Sequence, residues 1–221
     1  MKKTLCAILG CMLLICAHAQ NKTSYSLKYD KQFRFQPFAV FDPFESGIKF
    51  GMDKMVKPRM AVGADVAVYL GTEGYTKWAP GFAVSPLVRW YTDEKLKGFV
   101  ETVFTYKYTE RTETGWLGMD CVDGVPSYEK FDNYKRRKNV VDLSGRLGYR
   151  DRLFKSDKWC FEMFAGLGLR YKMLSVKYPE PNVCLDIGDS GIDVIGYMGS
   201  TIPVNYFFVS VPAGIRFTRK L

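Results

Sequence analysis

From Trp159 to Met173 the chain keeps a two-residue alternation. Trp159, Phe161, Met163, Ala165, Leu167, Leu169, Tyr171 and Met173 fall on one parity, and Cys160, Glu162, Phe164, Gly166, Gly168, Arg170 and Lys172 on the other. Successive side chains of a strand point to opposite faces, so this segment is a long strand with one charge-free face and one face of charges and glycines.

Turn signals divide the chain into eight such strands, at 33–41, 47–55, 59–70, 82–92, 99–109, 140–152, 159–173 and 205–217. The connections 56–58, 93–98 and 154–158 are short, whereas 71–81, 110–139 and 174–204 are long. An up-and-down barrel with tight turns at one end and longer loops at the other has this rhythm, which the short connection 42–46 alone departs from. Parity holds throughout. Phe50, Met52, Val62, Val66, Val88, Trp90, Val100, Phe104, Leu143, Leu147, Phe207 and Val209 share the uncharged face, while Lys49, Asp53, Asp65, Arg89, Glu101, Lys107, Asp142, Arg146, Arg150, Glu162, Arg170, Lys172 and Arg216 share the other.

Alternation alone does not say which face points outward, since a soluble lipocalin-like barrel would hide the apolar one. Three features favour a membrane orientation. The charged face carries Gly51, Gly63, Gly148, Gly166, Gly168 and Gly214, small residues suited to the lumen of an eight-stranded barrel. Several strands reach the ~9–11 residues that a tilted transmembrane strand needs. Trp90, Tyr106, Tyr108, Tyr149, Trp159, Tyr171 and Phe217 gather near strand ends, as interfacial girdles do. The expected fold is therefore all-β, an eight-stranded antiparallel up-and-down transmembrane β-barrel, with Pro86 and Pro212 as interruptions in two strands.

Lys2 and Lys3, the apolar run 5–15 and the small-x-small site at 17–19 read as a signal peptide over 1–19, leaving 20–221 as one domain. Aromatic residues make up 15% of the chain and helix-period patterns are nearly absent, which agrees with a β domain. The formal charge of +9 would suit nucleic acid, but an exported protein meets anionic membrane glycolipid instead. Cys121, Cys160 and Cys184 remain after the expected cleavage, too few for a disulfide scaffold.

The stretches 47–51, 60–69, 86–91, 164–171 and 212–217 (GIKFG, MAVGADVAVY, PLVRWY, FAGLGLRY and PAGIRF) look like the small outer-membrane β-barrel proteins of Bacteroidota, related in architecture to the OmpA and OmpX barrels. The resemblance covers most of the mature chain. It implies residence in the outer membrane of a Gram-negative bacterium, contact with outer-membrane lipid, and insertion by the barrel-assembly machinery. Phe217 would be the near-terminal aromatic that such barrels carry.

The only histidine is His18, inside the expected signal peptide. A Ser-His nucleophile or a His-assisted water attack needs an imidazole, so enzymes of those two designs are excluded and no cofactor is expected. Lys49, Asp65, Arg89, Glu101, Asp142, Arg146, Arg150, Glu162, Arg170 and Arg216 would form a lumen network. Its members would either line a narrow ion path or pair and plug the interior, and mixed signs favour the plug. In the connection 110–139, Trp116 and the run Lys135, Arg136, Arg137 and Lys138 are candidates for contact with lipid phosphates. Cys121 and Cys184 fall in different outer loops, where they can bridge. Asp186, Asp189 and Asp193 do not have EF-hand spacing. The expected function is a non-enzymatic, monomeric barrel serving envelope structure or loop-mediated interaction with surface glycolipid or a partner. The alternatives are a lipid-modifying membrane enzyme or minor pore, and a secreted lipocalin-like binder.

Overall fold

The structure is a computed structural model and describes residues 31–37, 47–69, 80–123, 125–154, 156–177, 183–185 and 205–221. The expected signal peptide, the expected strand residues 38–41 and 70, the connection 42–46, residues 71–79 of the connection 71–81, and the acidic turn 186–193 lie outside the described residues.

Among the described residues ten strands run in chain order: β1 (Lys31–Gln36), β2 (Gly47–Lys57), β3 (Met60–Tyr69), β4 (Gly81–Tyr91), β5 (Gly98–Met119), β6 (Tyr128–Arg152), β7 (Trp159–Lys177), β8 (Cys184–Leu185), β9 (Asn205–Ser210) and β10 (Ala213–Lys220). The described residues contain no α-helix. From β1 to β7 each strand pairs antiparallel with the next, and β10 pairs with both β7 and β1, so one sheet closes into a ring.

Nine strands enter the ring where eight were expected, because the expected strand 205–217 is divided at Val211 and Pro212. Pro212 has no N–H to give to a ladder. β9 pairs with Gly168–Met173 and β10 with Trp159–Ala165, so the two segments follow one another along the same neighbour, β7. Pro86 has no such effect. It stays in β4 opposite Ala64, while the register toward β5 steps from Val84↔Tyr106 to Leu87↔Val103 without it.

A second correction concerns 110–139, which is not a loop. β5 and β6 pair without interruption from Gly98↔Tyr149 to Met119↔Tyr128, leaving 120–127 as the connection. Opposite charges face one another at Glu110↔Arg137, and β-branched Thr112 and Thr114 suit a pleated surface, so the charge density that reads as a solvated loop is carried by strands. The hairpin continues ten residue pairs past Thr109, the last β5 residue paired with β4, which is roughly 33 Å at ~3.3 Å per residue. β8 covers part of its exposed edge by pairing Leu117 with Leu185 and Gly118 with Cys184.

The parity read from the sequence separates inside from outside. Arg34, Arg89, Glu101, Glu162 and Arg216 are among the most deeply buried side chains, whereas Phe50, Met52, Val66, Phe82, Leu143, Leu147, Leu167, Leu169, Phe207 and Val209 are exposed. A water-soluble fold places these two classes the other way round.

Candidate functional site

The interior is held together by ion pairs reaching across the ring. Arg34 on β1 donates from Nε and Nη2 to Asp65 Oδ1 on β3, at 3.0 and 2.7 Å, and from Nη1 to Asp53 on β2. Lys49 also meets Asp65, at 3.5 Å. Arg89 on β4 reaches Glu101 on β5 at 3.0 Å and Glu162 on β7 at 3.1 Å. Arg216 on β10 contacts the same two carboxylates, at 2.8 and 2.5 Å, so two arginines and two glutamates form a buried quartet. Asp53 links the groups through Arg89 at 3.8 Å, while Arg146 and Arg150 approach Glu101 and Glu162 at 3.7 and 3.9 Å.

Aromatic rings complete the filling. Phe99 lies 4.4 Å from the Arg89 guanidinium and Phe164 lies 4.7 Å from that of Arg216. These contacts offset part of the cost of taking the guanidiniums out of water. Two glycines make room. A Cβ on Gly51 would fall 1.9 Å from Asp65 Oδ1, and one on Gly148 would fall 2.1 Å from the Phe99 ring.

Eight of the ten expected lumen residues join this network. Asp142 and Arg170 form a separate pair at 3.0 Å, with Ser210 Oγ donating to Asp142 at 2.6 Å. Two residues outside the expected set are hubs: Arg34, and Tyr91, whose hydroxyl lies 3.3 Å from both Arg89 and Arg150. The available signal was the alternation of Gln32 and Arg34 with Phe33 and Phe35.

In the projecting hairpin, parity divides the basic run. Lys135 and Arg137 point outward and both pair with Glu110, at 3.3 and 2.7 Å, whereas Arg136 points inward to Glu113 at 3.1 Å. Trp116 and Phe131 are exposed on the outer face, edge to face at 5.4 Å, while Leu117, Met119 and Tyr134 form a buried cluster on the inner face. The hydrogen bond from Arg137 and a second from the Tyr108 hydroxyl hold the Glu110 carboxyl down to about 2. Burial, reinforced by Glu113, pushes the Tyr134 phenol up to about 12.

Cys121 is in a disulfide and Cys160 is a free, buried thiol. The backbone register puts Cys184 opposite Gly118, three positions before Cys121. Among the described residues no three of His, Cys, Asp and Glu converge into a set able to hold a metal, and no helix is long and apolar enough to cross a membrane. No protein-family model, no characterised protein sequence and no solved structure matches this chain.

Proposed function

We propose that the ring is a transmembrane β-barrel of a Gram-negative outer membrane, a non-enzymatic envelope protein of the small OmpA/OmpX-like type found in Bacteroidota. In this reading it displays the β5–β6 hairpin to surface glycolipid or a partner. The carrying observation is the inverted polarity: charged side chains fill the interior and large apolar side chains cover the outside.

Such an exterior is costly in water and favourable in hydrocarbon. Phe82, Tyr106 and Tyr108 cluster toward one end of it, and Trp90, Tyr149 and Trp159 stand toward the other, as two girdles would. Between Val100 and Tyr108 the strand covers about 26 Å, and a tilt of roughly 40° reduces this to about 20 Å of height, close to the ~25 Å apolar band of such barrels.

The packed quartet supports a closed lumen over a minor pore, and a charged interior gives no support to a lipocalin-like binder of apolar ligands. The absence of histidine from 20–221 argues against the His-dependent barrel enzymes. Fractionation followed by gel electrophoresis tests the reading. The protein is expected in the outer membrane, migrating differently with and without boiling. Recovery from the soluble periplasm with no heat-dependent shift would overturn it.

A further inference from the structure

A cavity of about 580 Å³ opens at the short-turn end of the ring, between the β4–β5 turn, the adjoining ends of β6 and β7, and the end of β10. Among the described residues five cations line it (Lys95, Lys97, Arg150, Arg152 and Lys220), against one carboxylate, Asp151. Asp151 is already engaged by Lys97 at 3.2 Å, and Arg152 by Asp157 at 3.0 Å.

Arg150 differs from the surface cations because it is 3% exposed. Its Nη1 donates to Gln32 Oε1 at 2.8 Å and its Nε to the Leu96 carbonyl at 3.0 Å. Both acceptors are neutral. Its ion pair among the described residues is with Glu162, whose oxygen lies 3.9 Å away and also holds Arg89 at 3.1 Å, so Arg150 shares that carboxylate.

Like charges around a partly enclosed, low-dielectric cavity focus a positive potential into it. We propose that this mouth is a binding pocket for a phosphate group, taken either as the free anion or as the headgroup of an anionic phospholipid. Two guanidiniums and three ammoniums suit a phosphate better than a single carboxylate, because phosphate offers more oxygens and more charge to share among them. The cavity also exceeds a bare anion in size, leaving room for the group that a phosphoester carries. The pocket is defined by its own walls, whatever medium surrounds the ring.

The test is calorimetric titration of the full mature protein, folded in an uncharged maltoside detergent. One arm uses inorganic phosphate and the other dihexanoyl phosphatidylglycerol, with dihexanoyl phosphatidylcholine as the charge-balanced control. Saturable binding is expected in at least one arm, weakened tenfold or more by Lys95→Glu and by Arg152→Glu. Arg150→Gln would also remove binding, but Arg150 braces Gln32, so the two surface variants carry the test. Phosphate binding alone assigns the free anion, and phosphatidylglycerol binding alone assigns the lipid headgroup. The proposal is overturned if neither arm saturates, if phosphatidylcholine binds as tightly as phosphatidylglycerol, or if both variants stay within twofold of wild type. The heat-shift experiment does not depend on this outcome, so the two readings fail separately.

Discussion

Glu162 on β7 and Arg216 on β10 stand opposite each other in register, and their side chains meet at 2.5 Å with almost no exposure of either. They lie at the seam that closes the ring, and Arg89 on β4 ties Glu162 to another wall at 3.1 Å. Glu162→Gln would leave Arg89 and Arg216 sharing Glu101, a buried excess of positive charge. The expected loss of stability is about 3–5 kcal/mol, read by urea unfolding of the protein refolded into lipid vesicles. Replacing Arg216 by Met in the same chain should recover part of that loss. A Glu162→Gln variant within about 0.5 kcal/mol of wild type would show that the seam is not braced by this pair.

Leu167 and Leu169 lie on the outer face of the same strand and are 66% and 67% exposed. A lysine at Leu167 separates lipid from water as the surrounding medium. Facing the bilayer midplane it should cost about 2–4 kcal/mol, whereas at a wetted site the change should stay within about ±0.5 kcal/mol. The same vesicle unfolding assay distinguishes them, and a neutral result at both Leu167 and Leu169 would count against a lipid-facing belt.

Faces were more legible in the sequence than contacts. Period two is a local property, so the side of the sheet taken by Asp65, Arg146 or Glu162 could be read directly. Their partners could not, because Arg89 and Glu162 are 73 residues apart and meet only when the ring closes. Arg34 is the one charge in the expected strand 33–41, and Phe33 and Phe35 give it a parity without giving it a partner. Charge density obscures the hairpin: Glu110, Arg111 and 135–138 read as part of a long connection, yet the strand pairing continues through them. Proline was ambiguous for a related reason. Pro86 and Pro212 both lack a donor, and only the neighbouring pairings reveal which one interrupts its strand.

Cys121 follows Gly118, whose partner across the β5 edge is Cys184. From this backbone register the bridge is expected to join Cys121 to Cys184 and clamp β8 to the hairpin. Non-reducing peptide mapping should find those two residues in one cross-linked species, and reduction should speed amide exchange over 117–125 while leaving the ring unchanged. A link from Cys121 to Cys160, or to a second chain, would refute this arrangement.

Glu110 gives the hairpin a pH dependence of known sign. Arg137 donates to its carboxylate at 2.7 Å and Lys135 lies at 3.3 Å, which hold its carboxyl at about 2, below the ordinary carboxylate value. The folded hairpin therefore binds fewer protons than the unfolded segment across this range. Its contribution is complete above about pH 4.5 and declines as the pH falls through about 2. Amide protection over 110–138 should weaken across that window in the wild type. In Glu110→Gln it should start lower and lose this component of the dependence. Carbon-detected titration of the Glu110 carboxyl is the direct check: a midpoint near the ordinary ~4.3 would mean that Arg137 and Lys135 do not hold it in solution, and the acid-sensitive window would disappear.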